Sequence, residues 1–125
     1  MAHQVCRLPF LLVLVSCATT AGPSRGTSDV LTRDEIQLSS ASNAYDVLLQ
    51  LRPQFLRSRG AVSIRDPRPA YAVVYLNDVH YGGLGALRTI QINEIDEIRY
   101  ISGPDATTRW GTGHGGGVIQ VRANY

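Results

Sequence analysis

Five of the seven residues between Trp110 and Val118 are glycine, in the stretch "WGTGHGGGVIQV". A run so poor in side chains can neither build core nor propagate a helix. Glycine is favoured where the backbone must enter the left-handed region or where another chain segment passes too close for a Cβ. Three readings compete for it. Gly111, Gly113 and Gly116 spell G-x-G-x-x-G, a dinucleotide fingerprint. His114 with Gly115, Gly116 and Gly117 spells an HGGG oxyanion-hole motif. The third reading is a turn that delivers the chain into a last strand.

The surrounding pattern discriminates among them. Ala44, Val47, Leu48 and Leu51 recur at spacings of three and four after a Ser/Asn cluster and before Pro53, predicting an amphipathic helix from Asn43 to Leu51. "AVSIR" from Ala61 to Arg65 alternates modestly and is expected to be a strand. "YAVVYLNDV" from Tyr71 to Val79 is rich in β-branched and aromatic residues, predicting a strand buried on both faces. Ile95, Ile98 and Ile101 fit a short helical turn leading into a strand from about Glu97. Pro104 just inside a start signal and Gly111 at a stop predict a short helix, and "GVIQVR" a closing strand. The expected class is α+β: a small single domain with one mixed sheet, a packed amphipathic helix and short helical turns.

In that order the glycines follow a helix and open a strand, the reverse of what a pyrophosphate needs, since the helix N-terminus must point its free N–H groups at the ligand. No Lys follows them, so a phosphate-binding loop fails as well. The HGGG reading requires a nucleophilic Ser on a G-x-S-x-G elbow, and the sequence has none. His114 as the base of a small hydrolase is the low-weight reading, because its nearest predicted neighbours are glycines and no carboxylate can be named to orient it. His114 is expected to be a loop residue and His80 a turn residue. No metal site, cofactor or catalytic set is assembled.

The quoted segments, from "NAYDVLLQLRPQF" through "VSIR" to "AVVYLNDVHYGGLGALRTIQINEIDEIRYISGPDATTRWGTGHGGGVIQVRAN", resemble the plug domain of TonB-dependent outer-membrane receptors over about Leu38 to Asn124. The resemblance implies that Arg65 holds the Arg of an Ile-Arg-Gly strand, Gly103 and Pro104 the Gly-Pro of a helical turn, and Trp110 and Gly111 an aromatic-Gly pair. Gly116, Gly117, Val118 and Ile119 would form the closing strand. Three departures stand out: Asp66 replaces the Gly after Arg65, Asn77-Asp78 replaces Asp-Gly at a turn, and Arg99 replaces a Glu. In the family that Arg and Glu are implied to make charged contacts that hold the plug in its barrel. The barrel itself has no counterpart in these 125 residues, so a stand-alone plug-like domain is expected.

The N-terminus points to a membrane. Arg7 precedes an apolar run from Leu8 to Val15, followed by small residues, as in a secretory signal. The run is far shorter than the about 20 residues a bilayer span takes. "LVSC", Leu14 to Cys17, resembles a bacterial lipobox with Cys17 lipidated; the competing reading places cleavage near Ala21. Ala18 lacks the inner-membrane retention signal, so an outer-membrane anchor is expected, with the domain on the periplasmic face. The expected organisation is a signal peptide at 1–16, a lipidated Cys and tether at 17–28, and the plug-like domain at 29–125. Cys6 leaves with the signal, so Cys17 has no thiol partner.

A net charge of +2 is too small for a nucleic-acid footprint. All 12 basic residues are Arg, and Arg52, Arg57, Arg59, Arg65 and Arg68 crowd one region, read here as a solvated face. Together these features predict a non-enzymatic binding or interaction module that docks on a transport or secretion complex or captures a periplasmic ligand; the alternative is an accessory plug subunit of a separately encoded outer-membrane barrel. The candidate surface comprises the loops "NDVHYGGLG" and "RWGTGHGGG", with Tyr81, Arg99, Trp110 and His114; for Trp110 core packing is the favoured role.

Overall fold

The computed structural model describes residues 29–125. The expected signal at 1–16, and Cys17 with the expected tether at 17–28, lie outside the described residues. The chain folds as β1 (Val30–Thr32), α1 (Arg33–Gln37), α2 (Ala44–Leu51), β2 (Val73–Leu76), β3 (Val79–Gly82), β4 (Ile95–Ile101), α3 (Gly103–Trp110) and β5 (Val118–Ala123), with 3-10 turns at Pro53–Leu56, Leu84–Thr89 and Ile92–Glu94. The strands form one mixed sheet in the order β1-β4-β5-β2-β3. Only β2 and β5 run parallel. The α+β class read from the sequence is the class observed.

Helix α2 begins where Asn43 caps it, its side chain accepting from the Asp46 N–H at 3.0 Å. Its Ala44, Val47 and Leu48 are fully buried. They pack with Ile36, Phe55, Leu87 and Ile90 onto one sheet face, built by Leu31, Ile98, Tyr100, Ile119, Val121 and Val74. Alternation along each strand sends the other residues to the opposite face. There α3 covers one end, with Ala106 and Trp110 over Tyr75, Val118, Val73 and Ile101.

Three expectations are corrected. Ala61–Arg65 is not a strand, and among the described residues a single bridge between Ala61 and Pro69 is its only sheet-like pairing. Asp66 folds the chain back by exchanging backbone hydrogen bonds with Ser63, and Pro67 and Pro69 lack the N–H groups a ladder needs. The run Tyr71–Val79 is not one strand: β2 ends at Leu76, Tyr71 is exposed, and Asn77 and Asp78 take φ of 47° and 68° to turn the chain into β3. Positive φ at both central residues is the type I′ hairpin requirement. His80 is therefore a strand residue, on an edge strand the sequence pattern concealed.

Candidate interaction surface

Pairing across the sheet places Val30, Arg99, Gln120, Tyr75 and His80 in one transverse row, each the registered partner of the next. A parallel row holds Thr32, Glu97 and Arg122. The face opposite the main core is thus apolar and covered under α3, and polar where it is open. Arg99 is half-exposed there and pairs with Glu97 at 3.2 Å.

Tyr75 is the hub of the covered end. Its ring lies 4.7 Å from Trp110, 5.8 Å from His114 and 5.5 Å, edge-on, from His80. The Tyr75 hydroxyl is 3.0 Å from His114 Nε2, while His114 Nδ1 is 3.0 Å from the Gly111 carbonyl. A carbonyl can only accept, so Nδ1 carries a proton, and in the neutral ring Nε2 then accepts from Tyr75. His114 is a loop residue, as expected, and it is held in place by hydrogen bonds. Both its nitrogens are engaged, one by the Gly111 carbonyl and one by the Tyr75 hydroxyl. Trp110 is half-buried, with the Arg109 guanidinium 4.6 Å over its ring.

Beside this cluster, the Asp78 carboxylate accepts from the buried Gln120 amide and from Arg109 at 3.2 Å. Asn77 exchanges hydrogen bonds with the backbone of Ala123, at 2.9 and 3.1 Å. The hairpin turn is thereby sewn to β5 and α3, which explains why two non-glycine residues hold positive φ there. Tyr81 alternates to the other side of β3, its hydroxyl 3.0 Å from Thr89. Of the four candidate contact residues, Trp110 and His114 meet at Tyr75, Arg99 lies two strands away in the same row, and Tyr81 stands apart. Sequence reasoning missed Tyr75, Asp78 and Gln120. The legible signal was the single amide in the apolar strand "GVIQV", since a buried amide must find a partner.

The glycines frame this surface. Gly111, Gly113 and Gly117 have φ of 89°, 98° and 89°. A Cβ on Gly103 would fall 2.3 Å from the Gly115 carbonyl oxygen, and one on Gly116 2.3 Å from that of Tyr71. Helix α3 and the glycine loop therefore touch backbone to backbone. Ser102 caps α3, its hydroxyl accepting from the Asp105 N–H at 3.4 Å; Pro104 sits in its first turn and Gly111 ends it. Arg65 is exposed in the 57–70 loop, remote from any strand ladder.

Two shallow hollows flank Tyr71. One of about 340 Å³ lies between Val62, Pro69 and the glycine loop, and one of about 470 Å³ between Ala72, Val73 and Leu84. Among the described residues Tyr71 is the only titratable side chain lining either. Among the described residues no group of three or more His, Cys, Asp or Glu side chains is placed to hold a metal ion. No described helix is long and apolar enough to cross a membrane.

The described residues thus form a small α+β domain whose closing strand is entered through close-packed glycines. The family model described as TonB-dependent Receptor Plug Domain matches residues 23–118. The chain belongs to that family, a non-enzymatic, transport-related domain of outer-membrane receptors. Neither a curated protein nor a solved structure matches the chain.

Proposed function

We propose that this protein is an outer-membrane lipoprotein whose plug-like domain, residues 29–125, works alone as a non-enzymatic binding or interaction module. Residues 1–16 act as the signal, Cys17 carries the lipid, and 17–28 tether the domain on the periplasmic face. The observation that supports the reading is the family match over 23–118, which spans nearly all of the folded part. Docking on a transport or secretion complex is its role, through the surface around Trp110 and His114. Metabolic labelling with a fatty-acid probe tests the anchor: Cys17→Ser should lose the label and leave the membrane fraction, and equal labelling would refute the lipoprotein reading. Cross-linking from outer membranes tests the module, which should recover a transport or secretion component.

A second reading makes the domain the plug subunit of a separately encoded barrel in TonB-linked uptake. It is favoured by the charged open half of the outer sheet face, where Glu97, Arg99 and Arg122 lie in adjoining rows. This reading requires a barrel to co-purify with the chain, in a manner dependent on Arg99.

A further inference from the structure

The segment between Arg57 and Ala70 projects as a loop closed by its own hydrogen bonds. At its root the Arg59 N–H donates to the Ala70 carbonyl at 2.8 Å and the Ala70 N–H to Gly60 at 2.9 Å. Higher up, the Val62 N–H donates to Arg68 at 2.9 Å, and the tip is closed by reciprocal backbone bonds between Ser63 and Asp66 at 3.0 and 3.1 Å. The Ser63 hydroxyl also accepts from the backbone N–H groups of Arg65 and Asp66. This bonding gives the loop a defined shape.

What it presents is apolar. Ile64 at the tip is 104% exposed, Val62 beside it 50%, and Tyr71 at the exit 52%. Ordering an isoleucine fully in water on a hydrogen-bonded turn gains nothing for the fold, because the side chain buries no area. The surrounding charge is one-sided: Arg57, Arg59, Arg65 and Arg68 against Asp66 alone, a net of +3. Arg68 binds Asp66 and holds its carboxyl below the usual carboxylate range, so that acid stays ionised and occupied. Arg59 lies over the Tyr100 ring at 4.4 Å, at the loop's root. Among the described residues no ion pair reaches Arg57 or Arg65.

We propose that the 57–70 loop is a membrane-docking loop: Ile64 and Val62 enter the apolar boundary of a bilayer while Arg57 and Arg65 contact anionic phospholipid headgroups. A convex apolar tip flanked by unpaired cations is complementary to a surface that is anionic outside and apolar just beneath. Tyr71 suits the same depth, its ring apolar and its hydroxyl wet. A protein pocket would have to supply both an apolar socket and separate acids. The bilayer supplies both layers everywhere. Docking at this loop does not require lipid at Cys17, but the two would act together, since a lipid chain or a basic patch alone gives weak, reversible attachment.

The test is vesicle co-sedimentation of the full chain carrying Cys17→Ser in every arm, with vesicles of phosphatidylcholine alone or mixed with phosphatidylglycerol. All arms share the same N-terminus, so differences between them belong to the loop. Binding to the anionic vesicles should exceed binding to neutral ones by about tenfold and weaken with salt. Ile64→Asp and, independently, Arg57→Glu with Arg65→Glu should each reduce it by about tenfold with the melting temperature unchanged, since the three side chains are exposed and make no hydrogen bond or ion pair among the described residues. Parent-like binding by both variants, or equal binding to neutral vesicles, overturns the proposal. It is also overturned if the variants bind vesicles normally but lose a cross-linked outer-membrane protein, which would assign the loop to a protein partner.

Discussion

The Tyr100 hydroxyl occupies the space where a side chain on Gly117 would begin: a Cβ built there lies 2.3 Å from Tyr100 Oη. The same hydroxyl donates to the Gly116 carbonyl at 3.0 Å. Entry into β5 is thus fixed from β4, and Gly117, at φ 89°, meets two constraints at once. Gly117→Ala should destabilise the domain by about 3 kcal/mol or more, combining left-handed strain with overlap in packed surroundings. Gly113→Ala, at φ 98° with nothing within 4 Å, should cost only the strain, about 1–2 kcal/mol. Equal shifts in urea midpoint for the two variants would show that the close approach to Tyr100 contributes nothing.

Burial raises the Tyr100 phenol above its ordinary value, against a smaller opposing effect of the Arg59 guanidinium. A raised value means that the folded state holds the proton more tightly than the unfolded chain does. The stabilisation is therefore complete below the unfolded phenol value of about 10 and is lost as pH rises from there through the folded value. In urea titrations, wild type should exceed Tyr100→Phe by a constant margin at neutral pH, and the margin should shrink in the alkaline range. A margin independent of pH would show that Tyr100 titrates like a free phenol.

His114 links the glycine loop to the sheet through Gly111 and Tyr75. Truncating it leaves the hydroxyl of Tyr75, a residue only 7% exposed, without its acceptor. His114→Ala should cost about 1–2 kcal/mol. Tyr75→Phe should cost about 1 kcal/mol, and the double variant should fall short of the sum, because the two changes remove one shared bond. Strict additivity would mean that the Tyr75–His114 contact is not formed in solution.

What could be read beforehand was the part governed by local rules. Helix α2 carries its period and cap in "SNAYDVLLQL", and α3 carries Pro104 and Gly111 at its two ends. The glycine loop was legible as a turn into β5, because a run without side chains has few other uses. The turn at Asn77-Asp78 was read from the family resemblance, but the strand β3 after it was concealed: the type I′ geometry is reached without glycine, sustained by side-chain bonds to Ala123, Gln120 and Arg109 that no local pattern reveals. Strand β1, of three residues, is too short to show alternation and is defined by its partner β4. The surface around Tyr75 arises from register, and register is a property of the assembled sheet.

Register also determines what Arg99 can report. It lies in the open half of the outer face, between Val30 and Gln120 in its row, with the side chain 48% exposed and Glu97 at 3.2 Å on the same strand. An exposed ion pair of this kind contributes at most about 1 kcal/mol. Arg99→Glu exchanges that attraction for a like-charge contact with Glu97, screened by salt, so the isolated domain should lose no more than about 1 kcal/mol, with the loss shrinking at high ionic strength. For a domain of this size that corresponds to a fall in melting temperature of at most about 8 °C. In a stand-alone module the substitution should leave recovery of any barrel from outer membranes unaltered. If the variant stays folded while an outer-membrane barrel disappears from the co-purified material, Arg99 belongs to a docking interface, and the separately encoded plug subunit replaces the stand-alone module.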